Sequence, residues 1–94
     1  MIKLSIYGQV QHINQVQYQT QKGHRYDVWK IVIKTEQNDI LEFVAREKVI
    51  KLVKDVIVGD WCNVTANLVC RFTKKYTFIT LDIENFVNTS KYAM

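Results

Sequence analysis

The 94-residue chain has no proline, three glycines and two cysteines. Without proline, its turns must be made by glycine and by polar residues that tolerate bent backbone. Each glycine falls at a joint. Gly8 sits within the alternation Leu4, Ile6, Val10, where a bulge or sharp coil would let one strand serve both halves of a barrel. Gly23 occupies the turn Gln21-Lys22-Gly23-His24, and Gly59 stands where a helix must stop before Trp61 opens a strand. Cys62 and Cys70 read as members of one strand. At about 3.3 Å per residue they would be roughly 26 Å apart, so no disulfide joins them and both are expected to be reduced and buried. No stretch approaches the ~20 apolar residues of a membrane span, and no apolar leader follows Met1, which points to a cytoplasmic protein. Asn88-Thr89-Ser90 matches a glycosylation acceptor but has no secretory context. A glycine-rich phosphate loop, a His-x-x-x-His or Cys-x-x-Cys pair and a serine elbow are all missing. Asp82 and Glu84 share a strand face and read as solvated, and His12 and His24 stand singly. These absences argue against an enzyme and against any metal or cofactor.

What is present organises into one domain, since a chain of this length buries only about two thirds of its unfolded surface. Residues 1–87 are expected to form it, with 88–94 as a flexible tail. From Gln9 to Gln21, six of the seven odd positions are glutamine, the period of an extended ribbon with one wet face. A second strand from Tyr26 to Glu36 sets Trp29, Ile31 and Ile33 against an outward face of Lys30, Val32 and Lys34. The turn Gln37-Asn38-Asp39 leads into a third, Ile40 to Val44. Residues Arg46 to Val56 switch to the helical period, with Val49, Leu52, Val53 and Val56 on the buried side. In the fourth strand Cys62, Val64, Ala66 and Leu68 make one dry side, and in the fifth Ile79, Leu81 and Ile83 do so. The order β-β-β-α-β-β predicts an all-β protein: an OB-fold, a five-stranded Greek-key barrel with one short helix between strands 3 and 4.

The net charge of +4 favours a polyanionic partner only weakly by itself. The distribution says more. The connection between the first two strands carries Tyr18, Lys22, His24, Arg25 and Tyr26, then Trp29 and Lys30, with Lys34 further along the same strand. The hairpin joining the last two carries Arg71-Phe72-Thr73-Lys74-Lys75-Tyr76, then Phe78. Cations that track phosphates beside rings on which bases stack are what sequence-indifferent binding of single strands requires. Trp29 shares the parity of Ile31 and Ile33 and could equally be core at the barrel rim, and Lys74 and Lys75 could be a solvated turn. Tyr7 suits a dimer interface as well as a nucleic acid. Trp61 suits contact with the helix or a neighbouring subunit.

Phe43-Val44-Ala45-Arg46-Glu47-Lys48, then Leu52, Gly59-Asp60, Val64 and Leu68 follow one another with a spacing that resembles the single-stranded DNA-binding protein family. Gly8-Gln9-Val10, Lys22-Gly23 and Val32-Ile33-Lys34-Thr35-Glu36 are also similar to a small family of uncharacterised OB-type proteins. The resemblance spans about Met1 to Val87. It implies binding of single-stranded DNA in replication or recombination and contacts with replication or recombination proteins, while the open edge of so small a barrel and an outward Tyr7 suit pairing of first strands into a homodimer or homotetramer. Where bacterial members often place an aromatic ahead of Gly-Lys, this chain has Arg46-Glu47-Lys48, so a guanidinium replaces a stacking ring. It ends in Asn88-Thr89-Ser90-Lys91-Tyr92-Ala93-Met94 instead of an acidic tail, which resembles phage, mobile-element or small primosomal OB proteins. Two other functions are open at this stage: a protein-interaction OB module using Tyr7, Trp61 and the glutamine face, and an RNA-binding OB domain.

Overall fold

Five strands close into one barrel in the order β1-β2-β3-β5-β4. The computed structural model describes residues 2–91. The strands are β1 (Ile2–Gln19), β2 (Arg25–Thr35), β3 (Ile40–Arg46), β4 (Trp61–Phe72) and β5 (Thr77–Asn88). Between β3 and β4 a 3-10 turn, Glu47–Val49, runs into the short helix α1 (Ile50–Val53). All neighbours are antiparallel except β3 and β5, which meet in parallel at Val44 and Asp82. This is the expected OB topology.

β1 closes the barrel because it pairs twice, its first half with β4 and its second half with β2. Gly8 is where both pairings meet, opposite Thr35 on one side and Cys62 on the other. It is not the bulge expected there. The register shifts between Val10 and His12, so the extra residue is Gln11, while Gly8 stays in register. Its role is close approach: a Cβ at Gly8 would lie 2.5 Å from the Lys34 carbonyl oxygen and 2.6 Å from Ile33 Cγ2. The bulge also splits the glutamine run. Gln9 keeps the outer parity of Tyr7, whereas Gln15 and Gln17, opposite Trp29 and Asp27, turn to the other side. A bulge changes parity by one residue and so moves every later side chain to the opposite face.

The core is apolar and fully enclosed, built on Val10, Ile31, Ile33, Phe43, Ala45, Cys62, Val64 and Ala66, with Val53 and Val56 closing one end. The helix is shorter than the sequence pattern suggested. β-branched Val49, Ile50, Val53 and Val56 disfavour continued helix, and beyond α1 the Asp60 carboxylate accepts the Ile57 amide at 3.1 Å to make a turn instead. Because the chain enters through a 3-10 turn, the buried phase runs Val49, Ile50, Val53, Val56. Leu52, expected inside, is exposed.

Both hairpins outrun the barrel, which gives the molecule extents of 47 × 27 × 21 Å. The β1–β2 arm and the β4–β5 arm continue regular pairing past the point where a core exists to cover them. Ile79 and Cys70 face each other on the second arm and are exposed, although strand alternation alone placed them inside. Cys62, by contrast, is buried with its thiol donating toward the Gly8 carbonyl at 3.6 Å, and desolvation pushes its pKa up to about 12. Both cysteines are free, as expected.

The carboxylates of β5 are separated too. Asn85 opposes Thr65 and Ile83 opposes Ala66, so Glu84 is bulged out and pairs with Lys3 at 3.0 Å, while Asp82 faces the outer side of β3. Of the segment 88–94, Asn88 ends β5 and Thr89–Lys91 forms a 3-10 turn, with the Ser90 hydroxyl accepting the Trp61 amide at 2.7 Å. Residues 92–94 lie outside the described residues. No helix among the described residues is long and apolar enough to cross a membrane.

Candidate nucleic-acid interface

The outer faces of β2, β3 and β5 form a shallow cleft of about 240 Å³ whose floor is Val28 and Val44 and whose far wall includes Thr80. Val28 and Val44 point away from the core, yet they are only 2% and 6% exposed. Neighbouring side chains shield them. On the β1 side the cover is Tyr18 and Tyr26, a cross-strand pair stacked with centroids 5.5 Å apart and planes at 22°. Lys30, Glu42 and Arg46 complete the rim.

Polar atoms on this face are under-satisfied. Among the described residues, the buried side-chain atoms without a hydrogen-bond partner are Arg46 Nε, Asn67 Oδ1, Thr80 Oγ1 and Asp82 Oδ1. Register places all four together: Arg46 beside Val28, Asp82 beside Val44 and Asn67, Thr80 beside Val69. Arg46 Nε lies 3.6 Å from Asp82 Oδ1, close enough for an ion pair and too far for a hydrogen bond. Leaving such an atom unpaired costs about 1–3 kcal/mol. Four in one place mark a surface whose polarity is not explained by the fold.

The two arms flank the cleft, and each carries a pair of rings. On the second arm Tyr76 and Phe78 sit 6.0 Å apart, tilted at 45°, with Tyr76 64% exposed. Thr73 fixes this tip: its hydroxyl accepts the Tyr76 amide at 2.9 Å, and the Thr73 amide donates to the Tyr76 carbonyl at 2.8 Å. Thr20 does the same on the first arm, accepting the His24 amide at 3.1 Å while Gly23 takes a positive φ of 88°. Arg71 is opposite Phe78, on the outer side, with Lys74 and Lys75 at the tip. On the first arm Lys22 is at the tip, while Arg25 shares the parity of Asp27 and Trp29 and so stands beneath the arm.

Lys30 and Lys34 continue along the outer face of β2 as the alternation predicted. Besides Arg25 beneath its arm, two of the sequence candidates stand apart from this set. Trp29 turns inward and packs against the core, and Phe72, although 78% exposed, shares the parity of Cys70 on the reverse of its arm. Among the described residues, Lys3 and Arg46 pair with Glu84 and Asp82, whereas Lys22, Arg25, Lys30, Lys34, Arg71, Lys74 and Lys75 form no ion pair with a described carboxylate. The second arm falls in a stretch without an acidic residue, 61–81, and the first has none before Asp27 on its returning strand. That gap in the sequence is the signal that marks the arms as a common cationic surface.

Thus two ring pairs, unpaired cations and an under-satisfied polar floor line one side of an OB barrel. Solved structures carry the same architecture. A mitochondrial single-stranded DNA-binding protein from S. cerevisiae superimposes with a TM-score of 0.65 at 17% identity, covering 93% of this chain and 94% of its own. A small single-stranded DNA-binding protein from Streptomyces coelicolor gives 0.61 at 13% identity, covering 99% and 96%. The chain shares their fold. No family model matches the sequence, and no curated protein matches it. At these identities the likeness speaks for the barrel and its order of strands, and the use of the surface rests on the chemistry above.

Elsewhere the barrel carries a third ring pair. Tyr7 and Trp61 stack 5.4 Å apart at 22° on the outer side of β1 and β4. Trp61 thus stacks on a ring of the neighbouring strand. Among the described residues no three His, Cys, Asp or Glu side chains gather as a metal site would.

Proposed function

We propose that the protein binds single-stranded DNA with little sequence preference and keeps exposed strands apart during replication or recombination. The observation that carries this reading is the placement of the Tyr18–Tyr26 and Tyr76–Phe78 pairs on arms at either side of a cation-rimmed cleft. The mechanism is passive. Unpaired lysines and arginines on the arms draw in phosphates, releasing counterions, and the exposed rings replace base-base stacking at roughly 1–3 kcal/mol per base. Val28 and Val44 lie beneath the Tyr18–Tyr26 pair and back the rings with an apolar layer, and Asn67, Thr80 and Asp82 have hydrogen-bonding capacity that a base edge would reach once the covering side chains shift. Arg46, where a ring is expected in the resembled family, lies among them with its charge partly offset by Asp82. No step calls for catalysis or a cofactor, so the protein is read as a binding protein acting in the cytoplasm.

The Tyr7–Trp61 patch, with exposed Val87 nearby on β5, supports self-association into a dimer or tetramer, which would join the tracks of two subunits. Replication or recombination proteins are the other partners this patch suits.

Competition among matched single-stranded DNA, duplex DNA and single-stranded RNA for a labelled oligothymidine tests the reading. Single-stranded DNA is expected to compete at least as well as RNA, since the site offers rings and cations but no set of groups committed to a 2′-hydroxyl. Duplex is expected to compete poorly, because its bases are already stacked. Equal competition by duplex would show that only charge is being recognised, and a strong RNA preference would assign the site to RNA.

A further inference from the structure

We propose that the nucleic-acid track continues beyond the sheet: at Tyr26 the bound strand turns beneath the β1–β2 arm into a basic cleft against α1, where Arg25, Lys51 and Lys54 engage further phosphates. The proposal rests on the single-stranded DNA reading and adds a second, length-dependent segment to it.

Three observations carry it. First, the path is continuous. Tyr26 lines both the cleft on the sheet and a second cleft of about 390 Å³ between the arm and the helix. That second cleft adjoins a third, of about 500 Å³, with Asp27, Ile50 and Lys54 common to both. Second, the bulge at Gln11 puts the underside of the arm to use. It turns Gln15 and Gln17 to the same side as Asp27 and Trp29, so the inner cleft is lined by amide groups, an indole and Ile50. Amides, a ring and an aliphatic floor suit a base and its sugar as well as they suit any ligand of that breadth. Third, the cations are available. Arg25, Lys51 and Lys54 are exposed and, among the described residues, none forms an ion pair with a carboxylate, even though Asp27 and Glu47 line the same cleft.

The charge count sets the strength. Three cations against two carboxylates leave this cleft net positive by one, whereas the arm tips carry Lys22, Lys74 and Lys75 with no acid beside them. The extension is therefore weaker than the sheet and is occupied only by a strand already anchored there, where the local concentration of the next phosphate is high. An acidic peptide would meet the same net charge, but it would not explain the shared boundary at Tyr26, which joins this cleft to the sheet.

Anisotropy titrations with labelled oligothymidines of about 6 and about 16 nucleotides separate the two segments, since single OB domains cover ~4–16 nucleotides. In Lys51→Gln/Lys54→Gln, binding of the short oligonucleotide is expected to stay within twofold of the unsubstituted protein. The long one is expected to bind roughly 10- to 30-fold more weakly near 0.1 M salt, with a salt slope smaller by about 1.4, as two lost single-strand phosphate contacts require. Asp27→Asn/Glu47→Gln is the converse variant, expected to tighten the long oligonucleotide alone. Equal losses at both lengths, or no loss at either, would overturn the extension while leaving binding on the sheet standing. If the unsubstituted protein bound neither length at low salt, the single-stranded DNA reading would fail first and the extension with it.

Discussion

Truncating Tyr26 and Tyr76 together to alanine is expected to weaken binding of single-stranded DNA by about 4 kcal/mol, several hundred-fold in Kd, at roughly 2 kcal/mol for each stacked base. The two rings belong to different pairs on different arms, so the two substitutions together remove one platform from each end of the track. Tyr76 is largely and Tyr26 partly solvent-exposed, and neither belongs to the core. The variant should therefore unfold at nearly the temperature of the parent, which separates lost stacking from lost structure. The salt dependence should barely change, since no charge is removed. Were the double variant to bind as tightly as the parent, the arms would be excluded as the site of stacking. A loss smaller than the sum of the single variants would show that the neighbours Tyr18 and Phe78 take over the vacated positions.

Gly8→Ala should be the most damaging single methyl group in the barrel. The added Cβ would come within 2.5 Å of the Lys34 carbonyl oxygen and 3.1 Å of its carbonyl carbon, atoms of the β2 backbone that cannot move without parting β1 from β2. Overpacking of this kind costs about 3 kcal/mol or more, a large share of the stability of a small domain. The thermal midpoint should fall by roughly 10–20 °C. Gly23 makes the contrast. A Cβ there meets nothing within 4 Å, and only its φ of 88° opposes alanine, so that change costs about 1 kcal/mol. Comparable midpoints for the two variants would refute the close approach at Gly8.

The architecture was legible because the hydrophobic period changes where the structure changes. Alternation in β2, β4 and the inner half of β5 was read correctly, and the shift to a helical period after Arg46 placed the helix between the third and fourth strands. What stayed hidden depended on neighbours that are distant in sequence. Alternation shows that Gly8 lies on the inner face but not that β2 passes against it. The bulge at Gln11 has no residue signature, so the glutamines read as one face when they occupy two. Ile79 and Cys70 alternate like core residues and are exposed because the arm has outgrown the barrel, a matter of strand length against barrel height. The order of the helix's buried residues turned on where a 3-10 turn ends, and Leu52 and Ile50 exchanged places as a result.

The candidate site divides in the same way. Rings and cations are neighbours in sequence on each arm, so Tyr26, Arg71, Lys74, Lys75, Tyr76 and Phe78 were visible as a group. The floor was not. Val28 and Val44 on an otherwise polar parity, and Asn67, Thr80 and Asp82 from two further strands, come together only through the β3–β5 contact that closes the barrel. Glu47 is a residue of the same kind. Its φ of 49° is a left-handed conformation that costs an L-residue about 1–2 kcal/mol, and it stands in the segment Arg46-Glu47-Lys48 where the resembled family often has Gly-Lys.

The central claim is that the two arms and the sheet between them bind unpaired DNA chiefly through phosphates and rings. Titrating a labelled oligothymidine at several salt concentrations tests it most directly. If five of the unpaired cations engage phosphates, the logarithm of the association constant should fall linearly with the logarithm of salt at a slope of about −3.5, with measurable stacking affinity persisting at high salt. A slope near zero, or no binding at the lowest salt, would contradict the account.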